Sequence, residues 1–194
     1  MARHNERCKN CKIAVEKLLN AIFGDVRTNY NLNLPAKVND YSDSALSNDL
    51  FSIHTALQDH RNHKKFVKTR KLSPVDFYVP DPGLVVEFDE SQHFTLPRKI
   101  SLLNYPDSLD LGFDKDRWIN LCNDLNKKDG DPPYRDEQRA WYDSIRDFAP
   151  AILDIKSTIR IFSRDYVWCS LSHESESDKE IFKTYISISN DGNL

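Results

Sequence analysis

Apolar residues recur at Val15, Leu18, Leu19 and Ile22, the spacing of one helical face, and Gly24 follows as a stop. Leu46, Leu50, Ile53 and Leu57 repeat the interval, with Ser42 to Ser44 placed to cap a second helix. Trp118, Leu121, Cys122 and Leu125 share a face of a third. Residues 134–148, YRDEQRAWYDSIRDF, set Ala140, Trp141, Ile145 and Phe148 on a broken apolar stripe, with Asp136 as the expected N-cap. Strand signals are of another kind. PVDFYVP (74–80) and LVVEFDE (84–90) are short apolar runs on either side of a PDPG turn. TIRIF (158–162), YVWCSL (166–171) and, as a final edge strand, TYISIS (184–189) also read as strands. Helices interleaved with strands predict an α/β fold.

At 194 residues the chain suits a single domain, 1–194, with a helical insertion expected at about 94–133. A hydrophobic content of 39%, with 11% aromatic residues, is enough for a core. No apolar run approaches the length of a membrane span, and MARHNERCKN lacks the apolar segment of a secretory signal. The expectation is a soluble, cytoplasmic protein with no membrane partner.

The hairpin carries the chemistry. Asp76 sits in the first run, and Glu87 and Asp89 in the second, where a core strand ordinarily excludes acids. Alternation puts Leu84, Val86 and Phe88 on one face and Val85, Glu87 and Asp89 on the other. Pairing across PDPG brings Asp76 toward Glu87. Buried carboxylates repel one another and lose hydration unless something positive compensates, and a divalent cation with oxygen ligands is one such compensation. This expectation requires the three acids to converge on one ion. An arginine or lysine already neutralising each of them would remove its basis.

A Pro-Val-Asp strand, a turn and an apolar strand ending Glu-x-Asp, then Gln92-His93, resembles the PD-(D/E)XK nuclease superfamily. The likeness is greatest to its very-short-patch-repair-like branch and extends over about residues 12–170. The resemblance implies a restriction-endonuclease-like mixed central β-sheet flanked by α-helices and hydrolysis of DNA phosphodiesters with Mg²⁺ or Mn²⁺. By it Asp76 and Glu87 are metal ligands. Asp89 stands where the family usually has lysine, so it is expected as a further ligand, with Gln92 or His93 handling the water or a proton. Glu16 on the first helix could face the site, and Arg139 follows the branch's Asp-x-x-Arg pattern. The missing lysine also admits a second function: a nucleic-acid-binding module on a degenerate nuclease fold, without catalysis. Cleavage of RNA is a third. Oligomeric state is open, a homodimer included.

Charge placement agrees with a polyanionic partner. Residues 60–71, HRNHKKFVKTRK, hold Arg61, Lys64, Lys65, Lys68, Arg70 and Lys71 with no acid, in a chain of net charge −3. Arg98 and Arg139 could extend that surface. Cys122 shares a helix face with three apolar residues and Cys169 alternates with Val167 and Leu171, so both read as buried thiols. Cys8 and Cys11, with His4 one turn earlier, make half a zinc site. No second Cys-x-x-Cys completes it, so zinc is not expected there.

Overall fold

The computed structural model describes residues 4–188. In chain order the elements are α1 (Lys9–Phe23), β1 (Arg27–Tyr30), α2 (Ser47–Arg61), β2 (Val75–Val79), β3 (Leu84–Asp89), α3 (Leu96–Leu103), α4 (Lys115–Leu125), α5 (Arg135–Leu153), β4 (Lys156–Phe162) and α6 (Glu176–Ile188). Short 3-10 turns lie at Val38–Tyr41, Ser91–His93 and Trp168–Ser170. The sheet runs β1-β2-β3-β4. β1, β2 and β3 are antiparallel in sequence, and β4 returns parallel to β3 after the helices. The result is an α/β fold with a mixed sheet.

Local chemistry accounts for several boundaries. In the PDPG turn Gly83 adopts φ 80, with its N–H bonded to the Val79 carbonyl. A Cβ there would sit 3.3 Å from the Ile155 side chain, so glycine answers both the backbone angle and the close approach. Thr95 caps α3 by accepting a hydrogen bond from the Arg98 N–H, and Asp114 caps α4 in the same way through Arg117. Tyr134, not Asp136, is the N-cap of α5. Asp136 lies inside the first turn, where its carboxylate accepts from the Asp129 N–H.

Alternation along β3 divides the core as its sequence predicts. Leu84, Val86 and Phe88 join Phe77, Val79, Ile159 and Ile161 under α1, Trp168 and α6. The opposite face is covered by α5, and beyond it α2, α3 and α4 build the larger apolar cluster around Trp118, Trp141 and Phe148. Segment 94–133 therefore contributes Phe94, Leu102, Tyr105, Phe113 and Trp118 to the core. Two strand expectations fail. Residues 166–171 are no strand: Trp168–Ser170 form a 3-10 turn, with Trp168 buried in the cluster under α1 and α6. Thr184 to Ile188 belong to α6, whose Phe182 and Ile186 repeat at i, i+4 toward the same cluster; Ser189 lies outside the described residues. Among the described residues no helix is long and apolar enough to cross a membrane.

Trp168 touches Tyr166, Phe182 and Tyr185 and is fully buried. Trp168→Ala should lower stability by about 3–5 kcal/mol in chemical denaturation. Leu103→Ala, at a side chain 61% exposed, should stay within about 0.5 kcal/mol of wild type.

Candidate functional site: a buried ion network and a cysteine cluster

β3 delivers Glu87 and Asp89 to the interior, and β4 delivers Arg160 beside them. The parallel register sets Glu87 against Arg160 and Asp89 against Phe162. Arg160 Nη1 donates to both Asp89 oxygens at 2.8 and 3.0 Å, and its Nε donates to Asp147 Oδ1 at 2.7 Å. From α5, Asp143 meets His93 Nδ1 at 3.0 Å. Arg98 of α3 donates to Asp147 Oδ2 at 2.7 Å, and the Tyr105 hydroxyl donates to the same oxygen. Trp118 Nε1 gives Asp89 a further bond at 2.9 Å. Glu87, Asp89, Asp143 and Asp147 thus face Arg98, Arg146 and Arg160, all seven buried.

Four carboxylates against three guanidinium groups leave one negative charge over, and a proton offsets it. His93 is held above the ordinary imidazole range: burial opposes its charge, but the Asp143 and Asp89 carboxylates overcome that. Glu87 is the least compensated acid. Arg146 Nε faces its Oε1 at 3.4 Å without donating a hydrogen bond. Burial pushes the Glu87 carboxyl up to about 7 against the opposing pull of Arg146, with nearby Asp76 adding to the rise. Asp143 is held well below the usual carboxylate range by His93 and Arg160, which outweigh its burial.

The hairpin acids do come close, and each has a basic partner. The Asp76 N–H donates to Glu87 Oε1 at 3.2 Å, across the expected pairing. Lys12 Nζ of α1 lies 2.6 Å from Asp76 Oδ1, and the Phe88 N–H bonds Asp76 Oδ2 at 2.9 Å. Glu87 faces Arg146. Asp89, 1% exposed, has both oxygens on Arg160. Ligands for Mg²⁺ must offer free oxygens and leave room for water. As arranged, these three acids do not fit a shared Mg²⁺, and Asp89 is corrected from metal ligand to ion-pair partner.

Other expected site residues also change role. His93 reaches the network, with Asp143 as its partner. Gln92 makes no bond to the network; half-buried, its amide donates to Glu90 at 3.0 Å. On α1 it is Lys12 that meets Asp76; among the described residues the Glu16 carboxylate has no hydrogen-bond or ion-pair partner. Arg98 is 1% exposed and holds Asp147, so it is no part of a nucleic-acid surface. Arg139 is taken up by Asp129 and the Gln92 carbonyl, and Arg61 by Glu137 and Asp136. Arg146, Asp143, Asp147 and Arg160 complete the network, outside the candidate residues that the hairpin and the basic segment supply. Their signal was present: an arginine inside the apolar run TIRIF, and ionic residues at i, i+3, i+4 on the core side of α5.

Segment 62–71, anchored by the buried Phe66 and otherwise mostly exposed, lies along the first half of α5. Gln138 Nε2 donates to the Phe66 carbonyl, Thr69 meets the Tyr142 hydroxyl at 2.9 Å, and Lys68 Nζ sits 4.5 Å from the Tyr134 ring centre. Beside it a cleft of about 250 Å³ is lined by Ser73, His93, Arg135, Gln138, Tyr142 and Arg146, among others. A larger cleft, of about 790 Å³, lies away from the acids, next to His4 and the turn after β4.

At that turn the expectation against zinc needs correction. Ligand atoms of His4, Cys8, Cys11 and Cys169 all lie within 4.8 Å of one another, a group able to hold a metal ion. The fourth member of the group is Cys169, which is exposed, not a buried strand thiol. Burial pushes the Cys11 thiol up to about 12, whereas backbone N–H groups at the start of α1, Cys11's first, draw Cys8 down. No family model matches the chain, and no curated protein or solved structure matches it either.

Between the unfolded carboxyl value of 4.5 and about 7, the folded chain keeps on Glu87 a proton that the unfolded chain has released. Stability from this group therefore falls as pH rises through that window, by at most about 1.4 kcal/mol per pH unit. His93, raised above 6.5, acts in the same direction: its contribution is present below that value and is lost above it. Denaturation midpoints should fall from pH 5 to pH 8, and Glu87→Gln should flatten the fall. Arg160→Met leaves Asp89 and Asp147 short of a buried counter-charge and should lower stability by about 3–5 kcal/mol.

Proposed function

We propose that the protein binds nucleic acid, through the cationic face formed by segment 62–71 and the start of α5. The observation that carries this is a set of exposed cations without acidic partners. Lys65, Lys68, Arg70 and Lys71 are exposed and make no ion pair among the described residues, although the chain as a whole is acidic; Arg135, also exposed, adds to them while lying near enough Asp129 to help lower its carboxyl. Lys64 is partly offset by Asp59 at 2.9 Å. Tyr134 and Tyr142 lie among these cations, which suits stacking as well as phosphate contact. The cleft at Ser73, Arg135 and Arg146 continues the same surface toward His93. Phosphate contacts fix a backbone but read no bases, so this reading carries no sequence preference. The mixed sheet between helical layers accords with the restriction-endonuclease-like arrangement that the resemblance implies. The basic partner on each acid favours a module without catalysis.

A second reading, hydrolysis of the bound strand, is favoured by one specific arrangement. The family's lysine is missing at position 89, yet Lys12 brings an ammonium to Asp76 from another element. Asp76 and Glu87 stand side by side, the latter with its carboxyl raised to about 7.

Labelled single-stranded DNA, duplex DNA and RNA should bind, with affinity falling steeply as salt rises. The Lys65→Ala, Arg70→Ala double variant should weaken binding and reduce the log–log salt slope on duplex by about 2. Absence of binding at low salt, or a variant that binds like wild type, defeats the proposal. Plasmid nicking with and without EDTA, on wild type and Glu87→Ala, separates the two readings. A binding module nicks under neither condition, whereas nicking that depends on both metal and Glu87 establishes the hydrolase.

A further inference from the structure

We propose that His4, Cys8, Cys11 and Cys169 bind one Zn²⁺ ion in a closed four-ligand site that fastens the N-terminal segment to the turn after β4. This site is separate from the cationic face and stands whether or not that face binds nucleic acid.

Ligand chemistry points to zinc. Three thiols and one imidazole form a Cys₃His set, which is a structural zinc combination. Soft sulfur donors select against Mg²⁺ and Ca²⁺, and a tetrahedral set of this kind suits a d¹⁰ ion without geometric preference of its own. The dimensions agree. Zn–S bonds of about 2.3 Å in a tetrahedron place sulfurs about 3.8 Å apart, and the shorter Zn–N bond brings nitrogen somewhat nearer. Here His4 Nε2 lies 3.1 Å from Cys11 Sγ and 3.5 Å from Cys169 Sγ, and all four donors fall within 4.8 Å. Four protein ligands leave no open position for water or substrate, so the site is structural.

The backbone presents the donors in an ordered way. Cys8 is the N-cap of α1, and the Cys11 N–H bonds the Cys8 carbonyl at 3.0 Å, turning both side chains to the same end of the helix. Cys169 comes from the Trp168–Ser170 turn, held in place by the burial of Trp168. All three cysteines are free thiols. A disulfide between any two would leave the third and the imidazole unused.

The ion would also position what lies between its ligands. Glu6, between His4 and Cys8, accepts from the Ser91 N–H at 3.2 Å and pairs with Arg164 Nε at 2.9 Å, joining the exits of β3 and β4. One turn beyond Cys8, Lys12 meets Asp76.

Full-length protein purified without chelator or metal-affinity tag should carry about one zinc per chain by elemental analysis. Cys122→Ser, at a buried thiol outside the cluster, should carry the same. Cys169→Ser and His4→Ala should retain at least tenfold less after dialysis against EDTA, and His4→Cys should restore retention. Exchange of wild type with Co²⁺ should give the thiolate charge-transfer and tetrahedral d–d absorption bands, absent in Cys169→Ser. If the cysteine variant does not fold, His4→Ala against His4→Cys and the wild-type cobalt spectrum still decide. Wild type that takes up neither zinc nor cobalt, equal retention in His4→Ala, or a disulfide among Cys8, Cys11 and Cys169 in freshly purified protein would overturn the assignment.

Discussion

The four carboxyl and three guanidinium groups buried between the sheet and α5 must be compensated inside the protein, by one another and by a proton, and the rest of the domain is arranged around that requirement. Removing a carboxylate or guanidinium from water has a penalty of several kcal/mol, recovered only when geometry and hydrogen bonds are nearly complete. Arg160 satisfies this by bonding Asp89, Asp147 and the Asp143 carbonyl at once. In the observed parallel register Arg160 stands beside Glu87, and α5 passes at a height that brings Asp143 and Asp147 within its reach. α3 is fixed in turn through Arg98 and Asp147. Apolar packing drives collapse, but it is nondirectional. The ion pairs set the register between helix and strand.

Balance is tight everywhere except at Glu87. Asp89, Asp143 and Asp147 have well-formed bonds to cations, whereas Arg146 is shared among Asp143, Ser73 and Glu87 and donates nothing to the last. The surplus charge therefore collects where β2 and β3 meet, next to Asp76 and Lys12. Glu87 stands at the edge of the network and Asp76 reaches solvent, so the interior charge system meets the surface at that point.

On the other face the N-terminal segment serves the same region from outside. α1 packs Val15, Leu18 and Leu19 on the sheet while Lys12 reaches Asp76, and Glu6 ties the exits of β3 and β4. His4, Cys8 and Cys11 lie at the start of this segment, opposite Cys169. The cationic loop sits across the molecule against α5, so the two features do not share side chains.

Periodicity by itself determined α1, α2, α4, α5, the β2–β3 hairpin and β4, because each of these elements commits a whole face to the core and the face shows at its own interval. It also determined that the hairpin acids needed a positive partner, since acids in apolar strands are expensive under any fold. What that partner is was decided only in three dimensions. Arginines 59 and 71 residues downstream of Glu87 and Asp89 fill the place reserved for a metal ion, and no local spacing encodes such a pairing. The same limit hid the fourth ligand of the cysteine cluster, which lies 158 residues beyond Cys11. It also hid the fate of 166–171 and 184–188, whose strand-like alternation was overridden by the burial of Trp168 and by the i, i+4 pair Phe182 and Ile186. Short-range pattern fixes which faces must be buried; long-range packing alone assigns what each buried charge or thiol meets.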